Sequence, residues 1–147
     1  MNMRERRDAG MAYVSDGSVL EEQAVCRRLL QKLNFMDRSD FDGLSEVVKE
    51  LLGKSEGAWI NPPFYCDYGS HIEVGKNFFA NYNCTILDVA KVRIGDNVVI
   101  GAGSVVTKDI PDWSVAAGNP CKVIRKITEE DKRKLFRQEE IDEEAWA

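Results

Sequence analysis

The stretch Val92-Arg-Ile-Gly-Asp-Asn-Val-Val-Ile-Gly-Ala-Gly-Ser-Val-Val-Thr-Lys-Asp-Ile-Pro111 sets aliphatic residues at Ile94, Ile100 and Val106, with Gly95 and Gly101 directly after the first two. A spacing of six belongs to neither a helix, with a period of about 3.6, nor a lone strand, with a period of about 2. Six-residue repeats with a small residue after the aliphatic one are the mark of a parallel β-helix, in which three short faces close one triangular coil. The aliphatic side chain points inward and stacks on its copies above and below. A second run, Val74, Ala80 and Ile86, keeps the same spacing in its own register. Gly75 and Gly95 lie 20 apart, against the roughly 18 of three hexapeptides, so a two-residue loop is expected near residues 88–91. Were there no insertion, Cys66 and Cys84 would stack.

Outward from these repeats the character of the chain changes. Ile60-Asn-Pro-Pro-Phe-Tyr65 is extended and proline-marked, so it can enter a sheet edge but cannot continue a helix. Before it, residues 18–34 read as an amphipathic helix, with Leu20, Ala24, Leu29, Leu30 and Leu33 near one stripe. A second helix is expected from about Asp40 to Leu52, ended by Gly53. Thr128-Glu-Glu-Asp131 has the form of a helix N-cap, predicting a short charged helix through residues 132–137. The expected organisation is one structural domain in three segments: helical 1–57, β-helix of about four coils over 58–127, and a charged helix and tail over 128–147.

Composition narrows the function classes. The chain has 147 residues, enough for one domain with a core. Net charge is −5, and the segment from Thr128 onward holds eight acidic and four basic residues. The body is therefore near neutral, without the basic face that nucleic-acid binding needs. No apolar run approaches the roughly 20 residues that span a bilayer, and no apolar stretch follows the N-terminal charges. A cytoplasmic chain is expected, with no membrane partner. Cys26, Cys66, Cys84 and Cys121 form no C-x-x-C pair, so reduced thiols are expected and neither a disulfide framework nor a metal site is indicated.

With Val115-Ala-Ala-Gly-Asn-Pro-Cys-Lys-Val-Ile-Arg125 following the repeats, the chain resembles the hexapeptide-repeat acyltransferases, and within them the maltose and galactoside O-acetyltransferase family, over nearly its whole length. The resemblance implies a mainly β left-handed parallel β-helix, a homotrimer, acetyl-coenzyme A as cosubstrate and a sugar hydroxyl as acceptor. In that family a histidine on a loop takes the hydroxyl proton, and a positioned base contributes about 10² to 10⁴ in rate. Here Ile94-Gly-Asp-Asn97 runs straight into Val98-Val-Ile-Gly-Ala-Gly-Ser104, as if two copies of the repeat had been fused. Roughly 55 residues, or about three coils, are missing between them, the histidine loop included.

The sole histidine, His71, matches an ordinary position of the family motif; it has the pKa range of a base, but a surface or coil-stacking role is the simpler reading. On the acceptor side the resemblance assigns Asp16, Asp67 and Asn81, whose short side chains suit paired hydroxyls but also suit turns and caps. Asp88 is a weaker case, because the family often has an acidic pair where this chain has Asp88-Val89. On the coenzyme side it assigns Ala102, Thr107 and Lys108 to the pantetheine arm, and Lys122 and Arg125 to the phosphates. Lysine at 122, where the family usually has arginine, keeps the charge and loses the planar fork.

Three readings follow: a sugar O-acetyltransferase with impaired or lost catalysis, a non-catalytic trimer-forming β-helix that retains coenzyme A binding, or an internally deleted product with its coils still in register. Loss of about three layers would also bring the acceptor side nearer the coenzyme side by roughly 14 Å, so that acceptor and donor would no longer meet as they do in the family.

Overall fold

The computed structural model describes residues 1–132, 134–135 and 139–140. Three helices lead: α1 (Met3–Asp8), α2 (Gly17–Phe35) and α3 (Phe41–Leu51). Each begins at a side-chain cap, from Asn2, Asp16 and Asp40 respectively. Helix α1, a single capping-box turn and a half, had no periodic signal long enough to announce it. In α2 the buried stripe is Val19, Cys26, Leu30 and Leu33, while Leu20 faces out. Helix α3 buries Leu44, Val47, Val48 and Leu51, the pattern its three-and-four spacing predicts.

The strands then wind into coils. The first comprises β1 (Lys54–Glu56), β2 (Trp59–Ile60) and β3 (Phe64–Cys66), and the second β4 (Ile72–Lys76), β5 (Phe79–Ala80) and β6 (Cys84–Ile86). The third comprises β7 (Val92–Ile94), β8 (Val99–Ile100) and β9 (Val105–Val106). A partial fourth holds an isolated bridge from Ile110 to Ile94 and strand β10 (Ser114–Ala117). The chain then reverses, and β11 (Lys122–Lys126) pairs antiparallel with β10. Stacking gives three parallel faces: β1-β4-β7, β2-β5-β8-β10 (with β11 on its edge) and β3-β6-β9. Three complete coils and part of a fourth replace the four expected.

Register explains the difference. Ile72 pairs with Val92, Phe79 with Val99 and Phe64 with Cys84, a step of 20, whereas Val99 pairs with Val115 and Ile94 with Ile110, a step of 16. In the first coil β1 shifts register against β4; from Val74 onward the inward positions step by six along the faces, and the variation falls at one corner, between the third face and the first. There Ile86 is followed by Ile94 eight residues on, as expected from the glycine spacing, and Val106 by Ile110 only four on. The 20-residue step also overturns the stacking of Cys66 on Cys84. Cys66 lies over Ile86, and its sulfur instead meets Cys26 of α2 at 3.6 Å.

Glycine after the aliphatic residue has a local cause. A Cβ on Gly75 would strike the Asp96 carboxylate of the next coil, and one on Gly95 would strike Asp112. Those carboxylates accept from Lys76 N at 2.7 Å and from Asp96 N at 2.6 Å, so each coil's glycine makes room for the next coil's turn. Asn77 and Asn97 adopt positive φ at the same corner and hydrogen-bond to each other, as asparagine tolerates that region. Val74, Ala80, Ile86, Ile94, Ile100 and Val106 are all buried.

Helix α2 closes the open end. Asn34, buried, donates to Phe64 O and accepts from Phe64 N, both at 2.9 Å, and so satisfies the edge of β3. At the other terminus the expected helix is a single 3-10 turn, Glu129–Lys132, followed by a two-residue antiparallel ladder of β12 (Lys134–Leu135) with β13 (Glu139–Glu140). Residues 133, 136–138 and 141–147 of the expected helix and tail lie outside the described residues.

Candidate active site

The variable corner holds most of the polar chemistry. Asp88, fully buried, accepts from Asp67 N at 2.8 Å and Tyr68 N at 3.1 Å, one coil above. Its other oxygen, and Oδ2 of Asp67, are buried without a hydrogen-bond partner among the described residues. Burial pushes the Asp67 carboxyl above the usual range, and the charge of Asp88 adds to the effect.

His71 belongs to this corner too. Its Nδ1 lies 2.8 Å from Asp88 O and 3.0 Å from Val89 O. Both are carbonyls, so Nδ1–H donates, and Nε2 is left facing a guanidinium nitrogen of Arg7 at 3.4 Å. The ring also stacks on Tyr68, with centroids 4.7 Å apart. Arg7 sits over Tyr68 at 4.4 Å and pairs with Glu22 at 2.8 Å and Asp8 at 2.7 Å. Burial works against its charge, but the hydrogen bonds to Glu22 and Asp8 outweigh burial and hold it protonated. With both ring nitrogens occupied, His71 braces the corner rather than presenting a free base. An open cleft of about 340 Å³ lies alongside, lined by Arg7, Asp8, Gly10, His71, Val89 and Lys91.

The other expected residues fall around the third face. Cys66, Ile86 and Val106 are in register, so Asp67, Leu87 and Thr107 follow one another down the same corner, with Lys108 beside Thr107. Asn81 occupies the opposite corner. Its N donates to Ile100 O, which sets it above Gly101 and next to Ala102, and Lys122 pairs with Ala117 one layer further down. The sheet β3-β6-β9 is therefore flanked by Asp67, Thr107 and Lys108 on one side and by Asn81 and Ala102 on the other. Two inter-strand steps, about 9–10 Å, separate Asp67 from Thr107.

Two residues are committed elsewhere. Asp16 caps α2, accepting from Ser18 N at 3.0 Å, Ser18 Oγ at 2.6 Å and Val19 N at 3.3 Å, and the Ser18 hydroxyl leads in holding its carboxyl below the usual range. The capping loop still reaches the corner, since Tyr13 meets Tyr68 and has its phenol raised by burial first and then by that hydroxyl. Arg125 is paired with both oxygens of Asp131 at 2.9 Å. Lys108, Lys122 and Thr107 are exposed. Arg7 and Tyr68 went unread in the sequence, for nothing local marks residues 61 apart as neighbours. A larger cleft of about 460 Å³, between α3 and β1–β2, touches none of the expected site residues. Among the described residues no group of three or more His, Cys, Asp and Glu is placed to hold a metal ion, and no helix is long and apolar enough to cross a membrane.

This arrangement of stacked hexapeptide coils and capping helices is shared. No protein-family model matches the chain. The galactoside O-acetyltransferase of Escherichia coli K12 is 32% identical across 198 aligned positions that take in 97% of this chain and 98% of the relative. Among solved structures, a galactoside acetyltransferase in complex with coenzyme A is 31% identical, with a TM-score of 0.68 over 97% of this chain and 99% of its own. A maltose O-acetyltransferase from Clostridium difficile 630 is likewise 31% identical, with a TM-score of 0.65 over 88% of this chain and 99% of its own. Hexapeptide glycines, capping helices and a matching coil thus agree with sequence identity along nearly the full chain, which belongs to the maltose and galactoside O-acetyltransferase family of hexapeptide-repeat acetyltransferases.

Proposed function

We propose that the chain is an acetyl-coenzyme A dependent O-acetyltransferase of a sugar hydroxyl, assembled as a trimer, whose turnover is reduced because the family's histidine base is absent. The observation that carries this reading is the third face. Along its two corners, within three layers, it carries Asp67 and Asn81, which the family resemblance assigns to the acceptor, and Ala102, Thr107 and Lys108, which it assigns to the coenzyme. An alignment of 198 positions against a chain of 147 residues leaves at least 51 positions opposite gaps, in support of a shortened β-helix.

The exposed residues suit the cosubstrate. Lys108 and Lys122 offer cationic donors for phosphate oxygens, and Thr107 offers a hydroxyl to an amide-bearing arm. Bound acetyl-coenzyme A would supply a thioester for the acceptor oxygen to attack. A non-catalytic, coenzyme-binding role is favoured by one observation, the double occupation of the His71 ring. Calorimetric titration with coenzyme A, beside thiol release from acetyl-coenzyme A with maltose, glucose and a galactoside, separates the two. Saturable binding with acceptor-dependent release supports the transferase; binding without release supports the second reading.

A further inference from the structure

Resting on the transferase reading, we propose that Asp67, set against the buried carboxylate of Asp88 at the variable corner, is the general base that takes the acceptor hydroxyl proton in this chain. Four observations meet here. The sole histidine is held at both ring nitrogens by Asp88 O, Val89 O and Arg7, so it has no lone pair to offer. Asp88 has no exposed surface, and its Oδ2, like Oδ2 of Asp67, has no hydrogen-bond partner among the described residues. Both orphaned oxygens are enclosed, so this corner withholds the donors that would stabilise a second negative charge beside Asp88. Asp67 is half-buried, so unlike Asp88 it has a face toward solvent.

The groups facing Asp67 set its proton affinity. Asp88 lies on the coil below, Tyr68, His71 and Cys66 on its own coil, and Tyr13 on the segment before α2, while the Arg7 charge is taken up by Glu22 and Asp8. Burial and then the Asp88 charge raise Asp67, while a hydrogen bond with the Asp88 backbone and then His71 oppose them more weakly. A carboxylate so raised moves toward the range in which a base is effective near neutral pH. In the step, the acceptor O–H proton passes to the Asp67 carboxylate as the oxygen bonds to the acetyl carbonyl carbon. The carbon–sulfur bond breaks, and the departing thiolate takes that proton back from Asp67.

Asp67→Asn and Asp88→Asn test this, with coenzyme A affinity by calorimetry, thiol release against pH, and carboxyl titration of the ligand-free protein by carbon NMR. Asp67 should titrate above an ordinary aspartate, and thiol release should rise with pH through that same midpoint. Asp67→Asn should lower kcat by about 100-fold or more, with acceptor KM and coenzyme A affinity little changed. Asp88→Asn, whose amide oxygen can still accept from Asp67 N and Tyr68 N, should move the midpoint down. A rise in acceptor KM alone, or turnover that survives Asp67→Asn, would overturn the base assignment. A wild-type chain that releases no thiol with any acceptor, whether or not it binds coenzyme A, would instead remove the transferase reading beneath it.

Discussion

Asp67 and Asp16 are both short acids in motifs that match the family, and the fold treats them in opposite ways. The folded pKa of Asp16 is depressed, so its contribution is present above the unfolded pKa and is lost as pH falls through the folded one. Asp67 is raised, so the native state binds more protons than the unfolded chain, and stability falls as pH climbs from the unfolded pKa through the folded one. Asp67→Asn should therefore raise the melting temperature at neutral pH, with the gain shrinking below the ordinary carboxylate range; thermal melts across pH check it. A stabilised but inactive Asp67→Asn chain would fit a site that holds an unfavourable charge for function. Asn34→Ala is the structural counterpart. It strands Phe64 N and Phe64 O, both bonded at 2.9 Å, at the closed end of the coil, and should destabilise by about 2–4 kcal/mol in denaturant unfolding.

At the scale of the element, the hexapeptide spacing made the inward positions legible, because each aliphatic residue repeats the geometry of its neighbours. Ile86→Ala, in the middle of the buried column, should cost about 2–5 kcal/mol. Gly95→Ala should be worse tolerated than Gly17→Ala, because only the first drives a methyl into a neighbouring turn, that of Asp112; comparing the two unfolding midpoints checks it. Coil length was less legible. A spacing of 20 between Gly75 and Gly95 announced the loop near Asp88, yet the same enlargement at residues 67–71 and the contraction after Val106 lacked a glycine pair to mark them. The cysteine pair shows the consequence, since a shift of two residues exchanges Cys84 for Ile86 beneath Cys66. The last helix failed for a related reason. The Asp131 that reads as a capping partner accepts from Thr128 N, but it also takes the Arg125 guanidinium, and the turn tightens to 3-10.

Across the whole molecule, the family resemblance located the candidate residues, and the topology decided how they meet. Position 67 and position 107 share a corner only because two coils of 20 intervene, and no local pattern brings Arg7 to residue 71. Arg125 is the clearest departure from the expected layout, for its guanidinium is already bound by Asp131. Asp131→Asn should release it and tighten coenzyme A binding several-fold by calorimetry, more at low salt than at high. The most direct test of the function is thiol release from acetyl-coenzyme A by the wild-type chain, with maltose, glucose and a galactoside in turn. Slow, saturable release that depends on the sugar, rises with pH and accompanies an acetylated product is the expected result. Coenzyme A binding with no acceptor-dependent release at any pH would contradict it, leaving a β-helix that keeps the ligand and has lost the reaction.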